Sequence, residues 1–406
     1  MANPYINKVV LGNETLLDLT ADTITAADLA QGVTAHDASG AAIVGTFDKA
    51  SGSVYQDADG YLVVDDSESS APQGNLSITA NGTYDVADYA GASVDIPVGM
   101  TKTELKNFIQ RTSGFTDIDW PDGLTSIGSY AFAGCVYFNP SSLPDGIRTI
   151  QAYAFRECSG LALTSLPSGV STIQTGAFYG CNKIAFTSLP NEITYINSEA
   201  FEDCWELALT SLPSGVTHIG QYGFYRCKKL ALTSLPSSLT YISNYAFAGC
   251  SGLVSISCDG AITTLAQNAF SGTSSNSMSL VSASFPNMAI TSGFSYAFGQ
   301  PYTPGYACQL LEFCDIGSTT RIDSYAFANC YALETLVLRK SDSICTLNNV
   351  NAFNNTPMSG YNSLTGTVYV PQALISTYQT ATNWSTLYDA GTVTFAAIEG
   401  SDYELE

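Results

Sequence analysis

TSIGSYAFAGC (Thr125–Cys135), RTIQAYAFREC (Arg148–Cys158), STIQTGAFYGC (Ser171–Cys181), TYINSEAFEDC (Thr194–Cys204), THIGQYGFYRC (Thr217–Cys227) and TYISNYAFAGC (Thr240–Cys250) follow one another down the middle of the chain, and TTLAQNAFSGT (Thr263–Thr273) closes the run. Their phenylalanines, Phe132, Phe155, Phe178, Phe201, Phe224, Phe247 and Phe270, stand 23 residues apart, and the cysteines at 135, 158, 181, 204, 227 and 250 keep the same register. Self-similarity at such a period marks an architecture in which each unit leaves an apolar face that only the next unit covers. The chain is read as a solenoid whose stacked coils share a Phe column, a Leu and Ile column and a Cys column.

A second constant block lies between these anchors, as in LALTSLPSGV (Leu161–Val170) and LALTSLPSSL (Leu230–Leu239). Its apolar residues are spaced for a short strand that stops at Pro. One or two short strands per coil are expected, and at a strand spacing of about 4.8 Å seven coils span roughly 35 Å.

The recurring Cys, Leu, Ile and Ala-Phe positions resemble the BspA-type leucine-rich repeats over residues 121–273 and, less regularly, over 321–370, where Cys330, Leu333, Leu336, Leu338 and Phe353 keep register. The resemblance implies a mixed α/β repeat solenoid of the leucine-rich-repeat kind. The chain departs from the pattern where Thr164, Thr187, Thr210 and Thr233 take the usual second aliphatic site and a Leu or Phe stands one residue earlier. A local bulge is the expected way to turn that displaced side chain inward. The Cys column allows two readings, disulfides between neighbouring coils or buried thiols acting as small hydrophobes in a reducing cytosol, and the second is expected.

A solenoid needs a cover at each end. Residues 101–120 are expected to supply one, since TKTELKNFIQR carries the capping-box pair Thr101 and Glu104 and sets Leu105, Phe108 and Ile109 on one helical face. Residues 371–406 are expected to supply the other, with Leu374, Ile375 and Tyr378 at helical spacing after Pro371 and Trp384, Leu387 and Tyr388 after a break. Residues 274–320 break the beat and read as an aromatic insertion carrying Phe294, Tyr296, Phe298, Tyr302 and Tyr306 among Gly and Pro. Such an insertion is expected as a surface loop, packed on the solenoid or offered to a partner.

Residues 51–100 read as small β-hairpin modules and a Ser-rich linker, with turns at Asp59-Gly60 and Asn81-Gly82. Residues 1–50 read as a short strand, a helix from Thr25 to Gln31 stopped by Gly32, and another strand. This first stretch, with ITANGTYDV and VYVPQALISTYQTATNWS further on, resembles segments of tail-associated and fibre proteins of phages of gut Firmicutes. The resemblance implies an N-terminal module that attaches to a virion while the solenoid points outward.

Composition and charge exclude more than they assign. Only 12% of the residues are charged against 45% hydrophobic, so a folded, turn-rich protein is expected and not a disordered one. A net charge of -22 with 14 basic residues gives no footing on phosphates, which sets nucleic acid aside. The first ten residues lack a basic region followed by an apolar run, and no apolar stretch of membrane-spanning length occurs, so cytoplasmic synthesis without export or membrane insertion is expected.

No catalytic constellation emerges. The two histidines, His36 and His218, are too few for a nucleophile with its base, and His218 sits at a variable repeat position. Asp57 and Asp59 lack the closing ligands of a calcium loop, and no cofactor or metal motif is found. What remains is recognition. The strand face carries small residues, among them Ala162, Ser165, Ala208 and Ser211, and specifies little, whereas Arg156, Glu157, Tyr179, Glu202, Asp203, Tyr225 and Arg226 vary from coil to coil. That ridge, with Phe294, Tyr296, Tyr302 and Tyr306, is the candidate partner surface.

The expected function is a non-enzymatic phage tail fibre or receptor-binding protein on the virion surface, held to other virion proteins through residues 1–100 as a homotrimer and binding a host-surface protein or glycan. A phage head fibre or capsid decoration protein, and a bacterial cell-surface adhesin, are the alternatives.

Overall fold

The computed structural model describes Trp120, residues 123–274 and 277–405, and eight short strands within the first hundred residues. Across 123–274 each coil closes in the same way. A two-residue strand ends in a buried aliphatic residue, as in Thr149–Ile150 and Thr172–Ile173, and pairs in parallel with its neighbours through matching positions of the repeat. A tight turn follows and carries the buried Ala-Phe pair. Here the hydrogen bonds run the other way along the stack: Phe132 N donates to Ala154 O at 2.7 Å, and Phe155 N donates to Ala177 O at 2.8 Å.

The turn holds because two of its positions adopt left-handed backbone in nearly every coil. One lies two residues before the Phe, at Tyr130, Tyr153, Gly176, Glu199, Tyr222 and Tyr245; the other lies two residues after it, at Gly134, Glu157, Gly180, Asp203, Arg226 and Gly249. Non-glycine residues rarely sit there, so surrounding structure must over-determine the conformation. The bonds from coil to coil supply that constraint. Gly176 has a further reason to be glycine, because the Tyr153 ring fills the space a Cβ would need.

The apolar columns form as the period requires. Ring centroids from Phe132 through Phe270 are 5.2 to 5.7 Å apart in parallel stacks, and the rings are buried. The cysteines are all free and buried, but they are more than small hydrophobes. Each thiol of Cys158, Cys181, Cys204, Cys227 and Cys250 donates to the carbonyl of the Phe in the preceding coil at 2.9 to 3.1 Å. Thr356, which stands where other coils have Cys, turns its hydroxyl instead to Phe353 O of its own coil at 2.8 Å, so the coil-to-coil bond is a feature of the thiols.

The second block differs from expectation. In the regular coils LALTSLP forms no strand before Ser234–Leu235; Leu161, Leu163 and Leu166 point inward while Thr164 and Ser165 are both exposed. Two successive outward residues break the alternation a ladder needs. The coils are joined there by single bonds such as Ala185 N to Leu163 O at 2.9 Å. The displaced Leu163, Phe186, Leu209 and Leu232 are buried, as a local irregularity would achieve.

From Ser234 onward this line becomes a parallel seven-stranded sheet: Ser234–Leu235, Ser255–Cys258, Ser282–Ser284, Phe313–Asp315, Thr335–Val337, Gly366–Val370 and Val393–Ala397. Residues 274–320 are therefore no surface insertion. They supply two strands of the sheet, and Phe298 continues the Phe column between Phe270 and Phe327 at 5.3 and 5.4 Å. Extra residues leave the coil as a loop around Pro304–Tyr306, because the column needs only one Phe per coil.

Trp120 packs its ring edge-on to Phe132 and Phe138 at the first coil. At the last, helices Ile375–Thr380 and Trp384–Asp389 lie between strands Gly366–Val370 and Val393–Ala397. Tyr378 and Trp384 are buried and satisfy the Cys345 backbone, Cys345 N donating to Tyr378 OH at 2.7 Å and Trp384 Nε1 donating to Cys345 O at 2.8 Å.

In the first hundred residues, Ser53–Gln56 pairs antiparallel with Leu62–Asp65, as a hairpin does. Asn75–Ile78 pairs with Gly91–Val94 in parallel, which corrects the hairpin expected at Asn81-Gly82. A two-residue hairpin turn joins antiparallel strands, so the parallel pairing excludes it. The helices expected at 25–31 and 101–111, and both turn dipeptides, lie outside the described residues.

Candidate recognition surface

The surface opposite the strands is set by the turn. In the coils of Phe155, Phe201 and Phe224 the positions two before, one after and two after the Phe are exposed or half-buried together, and left-handed backbone at two of them fixes where their side chains project. Tyr130 stacks on Tyr153 at 5.0 Å, and Tyr153 lies over Gly176 to donate its hydroxyl to Glu199 Oε2 at 3.1 Å. Tyr222 stacks on Tyr245 at 5.0 Å and meets Tyr225 edge-on at 5.2 Å. These rings are tethered, so little side-chain entropy is left to lose on binding.

Charged groups fill in around them. The Arg156 guanidinium lies over Tyr179 at 5.3 Å, and that of Arg226 lies over Tyr225 at 4.7 Å. Arg226 also pairs with Asp203, whose other oxygen accepts from Trp205 Nε1 at 3.1 Å, and Lys228 lies 4.1 Å from the Trp205 ring centroid. The sequence-expected residues Arg156, Tyr179, Tyr225 and Arg226 are thus brought onto one ridge. Glu202, one coil from both Tyr179 and Tyr225, has its carboxyl pushed up to about 7 by burial and by the negative charges of Asp203 and Glu199, against a smaller pull from Arg226.

The second expected cluster divides. Phe294 is buried against Phe327 and offers nothing to a partner, which corrects its place among the contact residues. Tyr296 takes the same left-handed position as Tyr130 and packs 5.4 Å from Tyr325, and Tyr302, at 79% exposure, lies 6.2 Å from Tyr325. Tyr306 is half-buried beside them in the 3-10 turn Pro304–Tyr306. The tyrosines therefore extend the ridge's own column, and do not form a separate loop patch.

One feature on the strand side was not foreseen. His218 is stacked between Tyr195 and Tyr241 at 4.8 and 5.6 Å, with Nδ1 2.8 Å from Thr217 Oγ1. Matching positions of the paired strands bring the three rings together, a juxtaposition the 23-residue spacing already contained. Their faces are turned to one another, so they present edges and polar atoms outward. The rest of the strand side is as flat as expected, with Ala162, Ser165, Ser188 and Ser211 exposed.

Nothing in this arrangement resembles a reaction centre. Burial raises the thiols of Cys158, Cys204 and Cys227 well above their ordinary value, which leaves them protonated and unreactive. Among the described residues no cluster of His, Cys, Asp and Glu is placed to hold a metal ion, and no helix is long and apolar enough to cross a membrane.

The model of the BspA type leucine rich repeat region matches residues 101–231 and 219–359. The chain belongs to that family. No curated protein matches it. Among solved structures, BspA-type coils align with a leucine rich cell surface protein from Faecalibacterium prausnitzii at 19% identity, covering 85% of this chain and 96% of that one with a TM-score of 0.37. A leucine-rich repeat protein from Bacteroides ovatus aligns at 18% identity over 87% and 100% with a TM-score of 0.34. The T. pallidum leucine rich repeat protein aligns at 24% over 50% and 78% with a TM-score of 0.31.

Proposed function

We propose that this BspA-type chain is a non-enzymatic recognition protein of the cell-surface adhesin kind, and that its turn-side ridge contacts a protein or glycan. One observation carries the reading: variable residues converge on the ridge as tethered tyrosines interleaved with arginines and carboxylates, while the strand side is small and uniform apart from the stack of Tyr195, His218 and Tyr241. Tyrosine and arginine supply large contact area with a polar edge, and they dominate the energetics of most interfaces. Attachment to a virion through residues 1–100, as a trimer, rests on the resemblance of short segments alone and stands second.

The test replaces Tyr179 and Tyr225 by Ala and measures binding to cell surfaces and to arrayed glycans, with Ser165→Tyr and Ser211→Tyr on the strand side as the control. Loss in the ridge variant with binding retained in the control supports the reading. The converse pattern, with both variants folded, moves recognition to the strand face.

A further inference from the structure

In the last coils part of the outward face of the seven-stranded sheet, around Asp315 and Val337, is covered, and what covers it is a short segment of the chain itself. Cys314 and Leu336 point into the core, so their neighbours Phe313, Asp315 and Val337 project to the opposite face. Yet Asp315 is 1% exposed and Val337 is 0% exposed, and Val337 stands outside the core cluster. The register sets Asp315, Val337 and Tyr369 side by side on successive strands.

The cover is residues 399–405. The Tyr403 ring stacks on Phe313 at 5.2 Å and meets Tyr369 edge-on at 4.6 Å. Those two residues lie on strands either side of Thr335–Val337, so the ring spans the strand between them and seals Val337. Arg339 binds Asp315 Oδ2 through Nε at 2.8 Å and Nη2 at 2.7 Å, and donates from Nη1 to Tyr403 O at 2.8 Å. Most other hydrogen bonds of the segment are local: Ser401 N to Ile398 O, Glu404 N to Ser401 O and Gly400 N to Glu404 Oε2. Glu399 Oε2 anchors the start of the segment by accepting from Gln372 N at 2.8 Å; beyond Gly400, which has left-handed backbone, the grip on the sheet is one ring and one carbonyl.

We propose that this sheet face is a docking surface for a peptide turn bearing an aromatic side chain, held shut in cis by residues 399–405. The occupant is defined by what sits there now: a ring between Phe313 and Tyr369, and a main-chain carbonyl on the Arg339 guanidinium. Asp315 keeps that guanidinium aimed outward whether or not the segment is seated. Local opening of this kind leaves the solenoid folded, because none of the Phe or Cys columns passes through the segment.

The test uses the full chain carrying Val337→Cys, a silent background because the native cysteines are buried. Modification by a maleimide is expected to be slow in that variant and to rise on the order of ten- to hundredfold when Tyr403→Ala is added. A synthetic peptide with the sequence Gly400 to Leu405, at millimolar concentration, restores protection, and its Tyr-to-Ala version does not. An unchanged rate on adding Tyr403→Ala shows that the segment is not the cover and overturns the proposal. A raised rate that the peptide does not lower overturns the docking surface. Should the cysteine disturb packing, amide exchange on the unaltered protein decides: residues 399–405 exchange at least tenfold faster than Val393–Ala397, and equal protection overturns detachability.

Discussion

The regular coils of 123–274 and the longer coils of 277–397 build the same interior with different exteriors. Both carry one stacked Phe per coil, and the column passes from Phe247 through Phe270, Phe298, Phe327 and Phe353 without a gap. Outside, most regular coils display small residues and single coil-to-coil bonds along Thr164 and Ser165, whereas the longer ones continue a parallel sheet whose outer face is covered around Asp315 and Val337. The contrast separates what a solenoid must conserve from what it is free to vary. Interior positions are fixed by the neighbour above and below, while chain length between them is absorbed at the surface.

The sharpest way to break that comparison is to cut the column on each side of the boundary. Phe201→Ala in a regular coil and Phe298→Ala in a longer one each remove a ring buried between two others, and each should cost about 3 to 5 kcal/mol. Chemical denaturation measures both. A cost below about 1 kcal/mol for Phe298→Ala would mean that 274–320 is a loop after all.

A smaller effect tests the cover of the longer coils. Tyr378→Phe removes one oxygen and leaves the buried Cys345 N–H without an acceptor. The expected loss is about 1 to 3 kcal/mol, the cost of orphaning a buried donor. Tyr388→Phe, on an exposed neighbouring ring, serves as the control and should change the midpoint little.

The Cys column gives a third test, in which sign matters more than size. If the thiols were only small hydrophobes, Cys204→Ala would be milder than Cys204→Ser, because a buried hydroxyl costs more than a methyl. The thiol of Cys204 donates to Phe178 O, one coil back, at 3.1 Å, and a serine hydroxyl in its place is a stronger donor to the same carbonyl. Ser is therefore expected to be the milder change by about 1 kcal/mol, measured by thermal unfolding of the two variants.

How much of this was legible in the sequence follows from which forces leave a periodic trace. Burial of Phe, Leu and Cys recurs at one spacing and could be read directly. Phe298 could have been read as well, since Ser295-Tyr296-Ala297-Phe298 repeats Ser129-Tyr130-Ala131-Phe132, but the changed coil length hid it under a count of residues. Of the ridge, Arg156, Tyr179, Tyr225 and Arg226 were visible because they vary. Tyr130, Tyr153, Tyr222 and Tyr245 were not, because their prominence comes from left-handed backbone, which no side-chain pattern announces. Nor does composition show that Gly176 exists to let Tyr153 reach Glu199.

The smallest effect belongs to the ridge and turns on pH. Burial and the neighbouring carboxylates hold Glu202 at about 7 in the folded chain, against an ordinary value of 4.5. The folded state therefore binds more protons than the unfolded state between those values, and stability falls as pH rises from about 4.5 to about 7. The penalty is complete above that window and missing below it. Glu202→Gln removes the charge and keeps the shape, so it should stabilise the protein at pH 8 by about 1 kcal/mol, after allowance for solvent screening of a half-buried group. At pH 4.5 the same substitution should be neutral. Paired melting curves at the two pH values measure the difference, and equal shifts at both would mean that Glu202 is solvated and that Tyr179 and Tyr225 do not confine it. A solenoid that keeps a carboxyl whose burial and like-charged neighbours outweigh the pull of Arg226 gains nothing in stability from it, which is the pattern expected where side chains are arranged for contact with something other than their own fold.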